Sequence, residues 1–191
     1  MRAEVCVSKH NNLDAFMIKV FFYLLAYCAR VLQKFRFKSM SRSLYQRALE
    51  IKGLTFSGPS RYIDFNVYLD PTAGISIGKD IVISTRVIIM THDYSYTTGL
   101  AALGARPDTD VAYIKSVTIG DNVFIGAGSI ILPGSDIGSN VIIGAGSVVR
   151  GKVESNSVVA GNPAKFLANI NSWAKHKQET VRSMDLLVDK R

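Results

Sequence analysis

The chain has 191 residues, of which 48% are hydrophobic and 20% charged, the make-up of one domain with a real core plus accessory segments. Its two cysteines, Cys6 and Cys28, lie in the N-terminal segment without metal-type spacing, so no disulfide framework is indicated and a reducing cytoplasm is the expected compartment. The formal net charge of +8 is uneven: residues 1–61 hold eleven Lys/Arg against three Asp/Glu, whereas residues 62–170 hold seven against nine.

Residues 1–61 read as a basic N-terminal helical arm. Within it, residues 13–38 are predicted to form one amphipathic helix. Phe16, Val20, Phe21, Leu24, Leu25, Cys28, Val31, Leu32 and Phe35 recur at helical spacing, opposite Lys19, Tyr23, Tyr27, Arg30, Lys34 and Lys38. Asp14 suits its start. The uninterrupted apolar run from Val20 to Ala29 is shorter than the roughly 20 residues of a transmembrane span, and no cationic leader with a small-residue cleavage site frames it. Two placements are open: on an anionic membrane surface, giving a peripheral location at the inner membrane face, or packed against the protein's own oligomer. A nucleic-acid partner is not expected, because no such motif is present.

Residues 62–168 read as a repeat domain of period six. Ile77, Ile83 and Ile89 are followed in the same register by Ile119, Ile125, Ile131, Ile137, Ile143 and Val149. A second column runs two residues earlier: Ile63, Leu69, Ile75, Ile81 and Val87, then Val117, Val123, Ser129, Ser135, Val141, Ser147, Val153 and Val159. Each hexad is a short strand and a bend, and three hexads return the chain to its starting azimuth. Residue n then stacks over residue n+18, with strands of successive coils about 4.8 Å apart. Ordinary alternating strands would show period two and turns every 8–12 residues or so. The period therefore predicts an all-β solenoid, a triangular parallel β-helix, without fixing its hand.

The period breaks once. Over residues 93–115 the columns vanish into a sequence that reads as loop, and the register resumes at Val117. Such an in-phase excursion from one corner is where repeat proteins often carry function. At its mouth stands His92, the one histidine inside the repeat. An imidazole titrates near about pH 6.5 and can take a proton from a hydroxyl at neutral pH. A histidine with no role beyond its turn is the competing reading. Asp93 either orients His92 or caps the turn. Residues 169–191 read as a short C-terminal helical tail, in which Trp173, Ala174, Val181, Met184 and Leu187 could cap or dock.

The repeat, the segment Thr91-His92-Asp93-Tyr94-Ser95 and the closing Ala160-Gly161-Asn162-Pro163-Ala164-Lys165 together resemble the hexapeptide-repeat acyltransferases, in particular the maltose and galactoside O-acetyltransferases and those of capsule and exopolysaccharide synthesis. The resemblance implies a left-handed parallel β-helix, against the usual crossover hand. It also implies a homotrimer with sites between subunits, acetyl-CoA as donor, a carbohydrate hydroxyl as acceptor, and direct transfer without an acyl-enzyme. On that resemblance His92 is the general base and Asn66 helps hold the acceptor. Ala127 offers a backbone N–H to the thioester oxygen, Ala145 a second contact to pantetheine, and Lys165 meets the nucleotide phosphates. Where relatives carry a Thr-Lys pair, this chain has Arg150-Gly151-Lys152, so Arg150 or Lys152 takes the phosphates instead. The Gly-Ala-Gly segments are equally what a tight coil needs.

Three rivals stand beside this reading. A zinc enzyme on the same β-helix needs three histidine ligands, yet His10 and His176 lie outside the repeat, so no metal is expected. An N-acyltransferase acting on an amino-sugar nucleotide would share the donor site. A non-catalytic β-helix scaffold would give His92 and the excursion no task.

Overall fold

The computed structural model of the chain describes residues 12–35, 37–105 and 110–182. Cys6, His10, Met184, Leu187 and the Arg106, Pro107 and Asp108 of the excursion lie outside the described residues. The chain divides into two compact units after Gly53.

The first unit is a pair of helices. The helix expected over residues 13–38 ends earlier: α1 spans Asn12–Lys34, and a second helix, α2, follows over Lys38–Ile51. Small residues let the two approach closely. Ala29 and Ala48 are fully buried, and the Ser41 hydroxyl donates to the Ala29 carbonyl at 2.8 Å. The α2 side of the contact, Ser41, Tyr45, Ala48 and Leu49, has helical spacing but only two large apolar members, a weak sequence signal. The segment Phe16–Lys34 is long and apolar enough, by length and composition, to cross a membrane, a longer stretch than the uninterrupted apolar run from Val20 to Ala29.

The second unit is a parallel β-solenoid of nearly five coils, whose strands stack into three faces. Face A holds Leu54–Phe56, Ile75–Ile77, Val117–Ile119, Asp136–Ile137 and Lys152–Val153. Face B holds Tyr62–Ile63, Val82–Ile83, Val123–Ile125, Val141–Ile143 and Ser157–Gly161. Face C holds Tyr68–Leu69, Ile88–Ile89, Ile130–Ile131 and Val148–Val149. The solenoid thus begins at Leu54, eight residues before the start drawn from the hexads. Inward residues of equal height form continuous apolar stacks. On face B, Ile63, Ile83, Ile125, Ile143 and Val159 lie over one another, each at most 6% exposed.

The eighteen-residue stacking holds in the middle coils, where Ile125 pairs with Ile143 and Ile131 with Val149. It slips by two at each end. Ile63 pairs with Ile83 and Leu69 with Ile89, twenty residues on, while Ile137 pairs with Val153 and Ile143 with Val159, sixteen on. Residues assigned by strict hexads to the second column therefore stack on the first. The slips arise at one corner, where face C turns into face A: residues 70–75 are two longer there than the equivalent turn 132–135, and Arg150-Gly151 two shorter. The 93–115 excursion leaves from the same corner.

The other corners are regular. Between A and B, Asn122, Asn140 and Asn156 adopt left-handed backbone (φ 52°, 56° and 61°) and form a ladder, Asn122 Nδ2 donating to Asn140 Oδ1 at 2.9 Å and Asn140 Nδ2 to Asn156 Oδ1 at 3.0 Å. Asparagine is among the few residues that accept this conformation. Between B and C the coils press together so tightly that a Cβ on Gly126 would collide with the backbone of Ala145.

The excursion is more ordered than a loop. His92–Asp93 pairs antiparallel with Tyr113–Ile114, and between them lies a short helix, α3 (Ser95–Ala102). The two-strand ribbon returns the chain to the corner it left, which is why the hexads resume in phase. At the far end, face B closes with an antiparallel hairpin of Ser157–Gly161 and Ala164–Asn169, followed by the polar helix α4 (Ile170–Arg182).

Candidate active site

The long C–A turn of the first coil and the mouth of the excursion in the second lie one above the other. This places Asp70 beneath His92. His92 Nδ1 lies 2.6 Å from Asp70 Oδ2. Asp70 is 6% exposed and fully engaged. Its Oδ2 also accepts from the Thr91 N–H at 3.1 Å and the Thr91 hydroxyl at 2.9 Å, and its Oδ1 from the Thr72 N–H at 3.2 Å and hydroxyl at 2.6 Å. Burial pushes this carboxyl up, but the hydrogen bonds from Thr72 and Thr91 outweigh it and hold Asp70 well below the usual carboxylate range.

That charge state favours one tautomer. An ionised carboxylate only accepts, so the Nδ1 facing it carries the hydrogen, and the lone pair of the neutral ring sits on Nε2. The His92 side chain is 33% exposed, and the Tyr94 ring meets it edge-on at 5.3 Å. The geometry is a buried carboxylate, an imidazole oriented by it and a second ring nitrogen on the opposite side of a part-exposed ring, an arrangement suited to a general base.

Asp93, the neighbour considered for the orienting role, does something else. Its Oδ1 accepts the Ser95 N–H at 2.9 Å, an Asx turn at the start of α3, and those Ser95 hydrogen bonds lower its pKa. Asp70 was not picked out from the sequence. Its signal was present in Asp70-Pro71-Thr72, where the spacing between columns departs from six, but strict hexads hide that slip.

The ribbon and α3 wall one side of the corner. Tyr96 and Tyr113 stack at 5.7 Å with an interplanar angle of 10°, and the Thr97 hydroxyl joins the two limbs by donating to the Val111 carbonyl at 3.1 Å. The return strand lies against Gly134, where an added Cβ would come within 2.7 Å of Lys115 Cδ and 3.2 Å of Tyr113 Oη.

The remaining sequence candidates separate by corner. Arg150, exposed, shares the C–A corner with His92. Asn66, Ala127 and Ala145 line the B–C corner, joined through Arg86 N–H to Asn66 O at 3.0 Å, Gly128 N–H to Thr85 O at 3.0 Å and Gly146 N–H to Ala127 O at 2.8 Å. Among the described residues no acceptor lies on the N–H of Ala127 or of Ala145. Lys152 is paired with Glu154 at 2.9 Å. Lys165 sits on the final hairpin opposite Ala160. A shallow hollow at the end of the apolar stack, lined by Val149, Arg150, Lys152, Val153 and Phe166 among others, includes neither His92 nor Asp70. Within one chain, then, His92 and the B–C group occupy different edges of the prism. No group of three His, Cys, Asp or Glu among the described residues is placed to hold a metal ion.

Residues 116–151 match the family described as Bacterial transferase hexapeptide (six repeats). Protein CapG of Staphylococcus aureus is 35% identical over 144 residues, covering 74% of this chain and 81% of that protein. The chain belongs to the hexapeptide-repeat transferase family. Among its relatives, the galactoside O-acetyltransferase of Lactococcus lactis is 36% identical over 129 residues, 68% of this chain and 59% of that one. The chain likewise spans only 56–65% of the length of three further curated relatives. The hexapeptide-repeat acetyltransferase VCA0836 of Vibrio cholerae, solved with acetyl coenzyme A, shares the fold with a TM-score of 0.52 and 26% identity over 62% of this chain and 61% of that one.

Proposed function

We propose that the protein transfers acetyl from acetyl-CoA to a carbohydrate hydroxyl, with His92 as general base. The observation that carries this reading is the 2.6 Å contact of His92 Nδ1 with the buried Asp70 carboxylate, which turns Nε2 away from that carboxylate at a corner walled by aromatic side chains. The names of the relatives support the chemistry: a galactoside O-acetyltransferase and an acetyltransferase solved with acetyl coenzyme A.

In the proposed reaction Nε2 takes the hydroxyl proton as the oxygen attacks the thioester carbonyl. Asp70 steadies the imidazolium so formed. The tetrahedral intermediate collapses with loss of the CoA thiolate, which recovers the proton from Nε2. No acyl-enzyme forms. A backbone N–H such as that of Ala127 aimed at the developing oxyanion lowers the barrier by about 3 kcal/mol. Ala145 is read as a second pantetheine contact, with Arg150 and Lys165 toward the CoA phosphates. Lys152, held by Glu154, is less suited to them. Tyr94, Tyr96 and Tyr113 offer ring faces to a sugar.

His92 and the Ala127–Ala145 edge lie on different corners, so this reading assigns the complete site to an interface between copies, as in a homotrimer. The test is transfer of radiolabelled acetyl from acetyl-CoA into a bacterial glycan fraction. Alkali-labile label is expected. Alkali-stable label would replace the ester with an amide and make the protein an N-acyltransferase.

A further inference from the structure

We propose that the α1–α2 unit is a membrane-surface anchor, which lays the apolar stripe of α1 in the headgroup–acyl boundary of an anionic bilayer. At about 100° per residue, Met17, Val20, Phe21, Leu24, Cys28 and Val31 fall on one arc of α1 roughly 100° wide. The side of α1 that bears Ala29 packs on α2, and the stripe lies away from it. Met17, Val20, Phe21 and Leu24 are 46–59% exposed, a degree rarely seen for four adjoining large apolar residues on one helix face without a partner phase. Lys19, Arg30 and Lys34 fall together beside the stripe, with the exposed Tyr23 and Tyr27 among them. Long cations and tyrosines at the border of an apolar stripe are the arrangement of a helix lying in an interface.

Charge identifies the occupant. Between Asp14 and Glu50 the chain has seven Lys/Arg and no Asp/Glu. A second copy seated on the stripe would bring like charges together, whereas anionic headgroups complement them, each cation strengthening adsorption by a factor of about five. The packing of α2 argues for lying on the bilayer rather than crossing it. Ser41 bonds Ala29, and Lys52 Nζ lies 5.6 Å from the centre of the Phe22 ring, so α2 runs along the middle of α1. Arg42, Arg47 and Glu50 are exposed on α2, and a spanning α1 would draw them into hydrocarbon.

The test uses the full chain and does not depend on the acetyl-transfer reading. Co-sedimentation is measured with vesicles of phosphatidylcholine alone and with one quarter phosphatidylglycerol, for wild type, Phe21→Ser/Leu24→Ser and Lys19→Gln/Lys34→Gln. The mutated side chains are exposed, and circular dichroism checks the fold. Wild type should bind the anionic vesicles, about 25-fold more weakly after loss of the two lysines, and not measurably after loss of the two apolar residues. Equal recovery in the supernatant with both vesicle types would overturn the proposal, as would undiminished binding by Phe21→Ser/Leu24→Ser. A change in oligomeric mass of that variant with no lipid effect would assign the stripe to a second copy instead. Resistance of the membrane-bound protein to alkaline carbonate would overturn the surface geometry in favour of a span.

Discussion

The two aspartates near His92 have the same functional group and opposite surroundings. Asp70 is buried, accepts four bonds from Thr72 and Thr91, and faces the ring; Asp93 holds the Ser95 N–H. Asp70→Asn should therefore lower kcat on the order of a hundredfold or more, because an amide can present its N–H to Nδ1 and invert the tautomer. KM for acetyl-CoA should change little. Asp93→Asn should stay within about twofold of wild type. Steady-state kinetics on the pair decides between them: equal losses would remove Asp70 from its orienting role. The same carboxylate sets a pH dependence. Its folded pKa lies below its unfolded value of about 3.9, so its contribution to stability is complete above that value and is lost as pH falls through the folded pKa. Urea denaturation should show wild type more stable than Asp70→Asn by about 1–3 kcal/mol at pH 7, the difference shrinking below about pH 4. A difference that grew toward acid would contradict the charge state assigned to Asp70.

At the scale of elements, the solenoid is held by corners that repeat and one corner that does not. Asn140 has left-handed backbone and bonds to both neighbours in its ladder. Asn140→Ala should cost about 1–2 kcal/mol of unfolding free energy, and Asn140→Gly, which relieves the backbone, should cost less; denaturant titration measures both. The apolar period was readable because every coil repeats Ile or Val at inward positions. The C–A corner was not, since residues 70–75 carry two extra residues that a strict period absorbs by misassigning Ile63 and Leu69. That slip concealed Asp70, although His92 was visible at the break. The ribbon and α3 escaped detection because His92-Asp93 and Tyr113-Ile114 find their partners in each other rather than in the coils. α2 escaped because its contact is made by Ser41 and Ala48, whose value is their smallness.

For the whole molecule, the separation of the B–C and C–A corners has a consequence. If each site joins His92 of one chain to the Ala127 edge of another, two inactive variants should complement. Ala127→Trp would block the donor edge and His92→Ala would remove the base. In randomly mixed closed rings of copies, about a quarter of the sites would then be assembled from two intact edges, and activity should recover to about that fraction in co-expressed protein. No recovery would place the whole site within one chain. The central claim, that His92 carries the transfer step, is tested most directly by measuring acetyl-CoA affinity by calorimetry and acetyl transfer by label on the same preparations of wild type and His92→Ala. The expected result is equal affinity with transfer reduced on the order of 10²–10⁴-fold in the variant. Undiminished transfer by His92→Ala would contradict the account.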